Sequence, residues 1–157
     1  MQPRFDFAKG APGGVHAMLA LTRSVHESGL ARPLLDLVFM RASQINGCAY
    51  CVDMHSKDAR AAGETEQRLY ALDAWRETSF FSERERAALA RTEALTNVQD
   101  GHASDEEYEA ARKHFDEKEL SNLALGIATI NAWNRIAIAT QAVAGSYQVQ
   151  KASGSAG

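Results

Sequence analysis

The sequence predicts an all-α, single-domain protein of about six to seven helices, and three observations predict it. Proline occurs only three times in 157 residues, while Ala, Leu, Glu and Arg, all good helix formers, are abundant. No run alternates β-branched and aromatic residues with polar ones in the way a half-buried strand would. Capping-box spacing recurs, at Ser82-Glu83-Arg84-Glu85 and at Ser104-Asp105-Glu106-Glu107.

The elements follow in order. The first ten or so residues read as extended. A helix runs from about Gly14 to Ser28, with Gly29 as its C-terminal stop. A second runs from about Pro33 to Ile45, with proline suited to its first turn. Asn46-Gly47 breaks it, and a third runs from Cys48 to Ala62, closed by Gly63. A fourth covers Thr65 to Trp75. Ser82 opens a fifth, to Val98, and Ser104 opens a sixth. The last, from about Glu119 to Gln148, is apolar on most faces, which places it in the centre of the bundle or in a subunit interface. Residues 1–151 form the domain. The tail Ala152 to Gly157 is small and polar and reads as a flexible linker or cloning remnant.

Bulk properties exclude several functions. A net charge of −3, without a local Lys/Arg cluster, argues against nucleic acid. No stretch of about 18 apolar residues exists to span a membrane, and the N-terminus lacks the apolar centre of a secretory signal, so a cytoplasmic location is expected. Two cysteines three residues apart close too small a loop to stabilise a fold much. In a reducing compartment such a pair is expected to be catalytic or metal-binding.

Cys48, Cys51 and His55 fall on one face of the third helix, at i, i+3 and i+7, and that face continues through apolar Val52, Ala59 and Ala62. The three groups should therefore lie partly buried. The break at Asn46-Gly47 puts both cysteines in the first turn of the helix, where free N–H groups and the dipole favour a thiolate. His55 is placed to take the Cys51 proton or pair with its thiolate, and Cys48 to resolve an oxidised Cys51 as a disulfide. Two other readings stay open. Cys48, Cys51 and His55, with Asp36 as a fourth ligand, could hold zinc. The chain could also be a helical oligomer without efficient turnover.

The segment Arg41-Ala42-Ser43-Gln44-Ile45-Asn46-Gly47-Cys48-Ala49-Tyr50-Cys51-Val52-Asp53-Met54-His55 resembles the signature of the alkylhydroperoxidase D-like branch of the carboxymuconolactone decarboxylase family. The likeness continues at Lys57 to Arg60, Gly63 to Thr65, Trp75 to Thr78, Thr92 to Thr96 and Asn131 to Arg135. It implies an orthogonal helical bundle assembled as a homotrimer or homohexamer. It also implies a peroxiredoxin-type oxidoreductase that reduces hydroperoxides without a cofactor and is regenerated by an external dithiol. In that pattern Cys51 is the attacking thiolate, Cys48 the resolving thiol and His55 a proton relay. A carboxylate twelve residues before the first cysteine assists; it is normally glutamate and here is Asp36. Tyr50 stands where the pattern has a second histidine.

Two positions break the local pattern. Arg91 interrupts the apolar stripe of the fifth helix, which suggests either an exposed edge or an ion pair at a subunit interface. Phe39-Met40 is more apolar than its segment, as if it met another subunit or an altered surface.

Overall fold

The computed structural model describes residues 2–149, so the tail from Ala152 onward lies outside the described residues. Eight α-helices occur among them, in the order α1 (Phe7–Gly10), α2 (Pro12–His26), α3 (Arg32–Ile45), α4 (Ala49–Ala61), α5 (Glu66–Ala71), α6 (Glu83–Thr96), α7 (Asp105–Ala111) and α8 (Glu117–Thr140). Two 3-10 turns, Leu72–Glu77 and Val98–Asp100, join α5 to α6 and α6 to α7. There is no strand among the described residues. The extra helix is α1, in the segment expected to be extended, where Asp6 caps four residues by accepting from the Lys9 N–H at 3.1 Å.

Side-chain caps set most starts. Ser82 and Asp116 each form a complete capping box, with Glu85 and Glu119 respectively. Thr65 and Ser104 accept from the N–H groups of Arg68 and Glu107. Each cap satisfies donors that the helix cannot.

The centre of the bundle is α3. Residues 34–40 are buried without a break, and α3 packs against α4, α6 and α8. Val38 and Phe39 belong to a core shared with α8 through Leu123 and Ile127. Leu37 and Met40 belong to a second core with Leu72, Trp75 and Leu89. Phe39 and Met40 are thus interior residues of this chain, not subunit contacts or an altered surface. They looked out of place because α3 has neighbours on several sides, so no face of it is polar.

Three other expectations need correction. The last helix ends at Thr140, not Gln148, because Gln141 turns left-handed (φ 53°) and the Gln141 and Ala142 N–H groups bond back to Ile138 and Ala137. It is not the central helix either, since Leu125 and Ile138 on it are exposed. Arg91 neither lies at an exposed edge nor seeks another subunit. It is largely buried and donates to Glu107 of α7 at 2.7 Å.

Candidate active site

The site begins at the sharp turn between α3 and α4. Gly47 has φ 65°, a left-handed conformation that glycine adopts without steric cost. The turn lets the Cys48 N–H donate back to the Ser43 carbonyl at 3.0 Å. Cys48 is therefore the N-cap of α4, one step before its first turn, and its Sγ accepts the Cys51 N–H at 3.3 Å. The two cysteines form a disulfide, with Cα atoms 5.3 Å apart. On α4, Cys51, His55 and Ala59 are buried as one i, i+4 line, Val52 is half-buried, and Ala62, expected on that face, is the exposed C-cap.

From the other side α8 clamps this turn. Asn46 Nδ2 donates to the Oδ1 atoms of Asn131 at 3.0 Å and Asn134 at 2.9 Å. Asn134, fully buried, donates to Ser43 Oγ at 3.0 Å, and Ser43 donates to the Phe39 carbonyl at 2.7 Å. Buried and satisfied, such a network fixes one arrangement of the chain.

Above the disulfide lies a cavity of about 350 Å³. Its wall comes from α2 (Leu19), α3 (Phe39), α4 (Met54) and α8 (Ile130, Trp133), and it is closed below by Cys51 and His55. Cys48 is not part of the lining. Three polar groups of the wall are already paired, whereas the Tyr50 hydroxyl makes no hydrogen bond among the described residues. Trp133 Nε1 donates to Thr22 Oγ at 2.9 Å, and the Thr22 and Thr129 hydroxyls donate to the Met18 and Leu125 carbonyls. An apolar cavity lined by one cysteine sulfur and one imidazole is suited to hold an uncharged molecule against that cysteine.

His55 lies tilted against Phe39, with ring centroids 5.4 Å apart, and its buried Nε2 has no hydrogen-bond partner. Burial, assisted by the positive charge of Arg32 and by His26, pushes its pKa down to about 4. The imidazole is therefore neutral at physiological pH, and the same burial makes it a weak base. Asp36 is also buried, but its Oδ1 accepts from Arg32 Nε at 2.7 Å and its Oδ2 is unpaired. It lies outside the cavity lining and makes no hydrogen bond to His55 or to either cysteine. Burial raises its pKa despite the Arg32 contact. Tyr50 lines the cavity beside Cys51.

The structure thus unites Cys51 and His55 at one cavity, sets Cys48 behind them, and turns Asp36 toward Arg32. Among the described residues no group of three His, Cys, Asp or Glu side chains is arranged to hold a metal ion, and Cys48 and Cys51 are joined to each other as a disulfide. Sequence reasoning missed Trp133, Ile130 and the Asn46–Asn131–Asn134 clamp. The i, i+3, i+7 spacing of Ile130, Trp133 and Ala137 was the available signal for the cavity wall.

An all-helical bundle that presents a Cys-x-x-Cys disulfide at a helix start beneath an apolar cavity defines a class of helical thiol–disulfide proteins. Residues 12–94 match the model of the carboxymuconolactone decarboxylase family. YdfG, an uncharacterized protein of Bacillus subtilis strain 168, is 43% identical over 139 residues, which cover 88% of this chain and 95% of YdfG. A crystal structure of a protein of unknown function from Agrobacterium tumefaciens, proposed to be the antioxidant defence protein AhpD, is 38% identical with a TM-score of 0.88. The match covers 95% of this chain and 100% of that one. A peroxidase-related protein with an AhpD core from Ralstonia eutropha JMP134 shares the fold at 19% identity, with a TM-score of 0.77 over 88% of this chain and 74% of that one. The chain belongs to the carboxymuconolactone decarboxylase family, in its alkylhydroperoxidase D-like branch. Among the described residues no helix is long and apolar enough to cross a membrane.

Proposed function

We propose that the chain is a thiol-dependent peroxidase that reduces hydroperoxides. The observation that carries this reading is that, of the disulfide pair, Cys51 lines the apolar cavity beside a neutral imidazole while Cys48 lies behind it. Starting from the dithiol, His55 relays the Cys51 proton as the sulfur attacks the terminal oxygen of ROOH, so that no free imidazolium builds up. The O–O bond breaks, Cys51 becomes a sulfenic acid, and the alkoxide takes the proton from His55 and leaves as ROH. Cys48 then attacks the sulfenic sulfur, releasing water and forming the disulfide. An external dithiol, available in a reducing cytoplasm, restores both thiols and is itself oxidised. Asp36, the carboxylate the family pattern would enlist, is paired with Arg32 and takes no step in this scheme. No cofactor is required.

The test is hydroperoxide consumption with a dithiol reductant. Cys51→Ser is expected to abolish turnover, and Cys48→Ser to leave a sulfenic acid at Cys51 that dimedone traps. Turnover that survives in Cys51→Ser, or a dimedone adduct on Cys48, would reject the assignment.

A further inference from the structure

The two sulfurs of the disulfide are not equivalent targets for a reductant. Both sulfurs are almost fully shielded, Cys48 at 1% and Cys51 at 2% exposure, but they are shielded differently. Cys51 forms part of the cavity wall, whereas Cys48 does not reach it. Cys48 instead sits at the N-cap of α4, where its Sγ accepts the Cys51 N–H at 3.3 Å. A sulfur that departs there as a thiolate keeps a backbone donor and faces the positive end of the helix dipole. Cys48 is also held in place, because its N–H is bonded to Ser43 and Ser43 is bonded to Asn134 of α8.

Thiol–disulfide exchange requires access to the attacked sulfur and goes faster when the leaving thiol has a low pKa. Here the two requirements fall on different cysteines. We propose that the reductant thiolate enters through the apolar cavity and attacks Cys51 Sγ, with Cys48 leaving as the capped thiolate. The new bond joins the reductant sulfur to Cys51, and the Cys48–Cys51 bond breaks with its electron pair remaining on Cys48. The second thiol of a dithiol reductant then attacks the reductant's own sulfur in this mixed disulfide. It releases Cys51 as a thiolate and closes the oxidised reductant. Two thiols are oxidised, one protein disulfide is reduced, and the cysteines take up the protons the reductant gives. Cys51 is thus the entry point of both half-reactions, and Cys48 serves as the resolving group in one and the leaving group in the other. The inference shares with the peroxidase reading only the exposure of Cys51 to the cavity.

The experiment uses the oxidised full chain and no peroxide. Benzyl mercaptan, an uncharged monothiol that cannot complete the second exchange within one molecule, is added. Aliquots are quenched within the first fraction of reaction, alkylated with iodoacetamide and mapped by mass spectrometry. The expected early product carries the benzylthio group on Cys51 and the alkyl group on Cys48, in at least roughly tenfold excess over the reverse, the preference that about 1.4 kcal/mol between the two attacks would give. A second readout is the pH dependence of alkylation in single-cysteine variants. Cys48 in Cys51→Ser is expected to titrate below the roughly 8.5 of a free cysteine, and below Cys51 in Cys48→Ser. An early adduct on Cys48, or equal partition, overturns the proposal, as does a Cys48 thiol that titrates above Cys51. A protein that consumes no hydroperoxide yet places the adduct on Cys51 would reject the peroxidase reading alone.

Discussion

Acid should destabilise the oxidised protein in part through His55. His55 is pushed from an ordinary 6.5 to about 4 by burial, by Arg32 and by His26. Its neutral form is therefore the one the folded state prefers, and the unfolded chain takes up the proton first as pH falls. Stability from this residue is intact above about pH 7, is lost progressively between about 6.5 and 4, and falls no further below that. The full loss is about 3 kcal/mol, and about 2 kcal/mol of it has gone by about pH 5. The assay is a pair of urea unfolding curves, near pH 7.5 and near pH 5, for the wild type and for His55→Gln, both kept oxidised so that no thiolate perturbs the site. Glutamine cannot titrate, so the variant is less stable at both values but should lose about 2 kcal/mol less on acidification than the wild type. His26, whose pKa burial also lowers, titrates in both proteins and cancels in the difference. Equal acid losses in the two proteins would refute the reasoning and mean that His55 is hydrated enough to charge in the folded state.

Phe39→Ala removes a side chain only 5% exposed that forms one wall of the cavity, and should cost about 3–5 kcal/mol in a denaturant melt. It also lets water reach His55, so its acid loss should shrink toward that of His55→Gln; an acid loss equal to the wild type's would show that Phe39 does not shield the imidazole. We propose that the chain is larger than a monomer, because α8 keeps Leu125 and Ile138 exposed and α2 keeps Leu19 exposed at 53%, and that it is the homotrimer or homohexamer the family resemblance implies. Light scattering at micromolar concentration checks it: a mass near the 17.1 kDa of one chain would reject assembly.

What was legible in the sequence was local chemistry. Gly47 marked the break before α4, Pro33 and the serine caps marked helix starts, and the i, i+4 relation of Cys51 and His55 survives intact on one buried line. What was not legible depends on partners distant along the chain. Nothing near Gln141 announces a stop, since Ala142 and Val143 continue an apolar pattern. The chain turns away there because the following segment is fastened to α4. The Gly145 N–H donates to Asp53, Lys57 donates to the Tyr147 carbonyl, and Tyr147 donates to Asp58, across about ninety residues of sequence. Arg91 looked anomalous for the same reason, as its partner Glu107 lies on another helix. Asp36 shows the opposite failure. Its place in the sequence suggested a relay with the thiols, but Arg32 one turn earlier competes for the carboxylate and takes it.

The most informative of these discrepancies concerns α8, because it changes what that helix is for. Read from composition, α8 is an apolar rod seeking burial. In the fold it brings two kinds of side chain to one site. Ile130 and Trp133 form the cavity wall above Cys51, while Asn131 and Asn134 grip the turn that carries Cys48. Residues 130, 133, 134 and 137 lie within two turns of one helix, so the surface that meets a substrate and the clamp that positions the resolving cysteine are parts of one rigid body. A change in α8 that widened the cavity by tilting the helix would also strain the clamp. Substitutions that enlarge the cavity without disturbing the cysteines should therefore be sought on α2, at Leu19, whose side chain reaches the cavity from a helix that carries neither cysteine and contributes no group to the clamp.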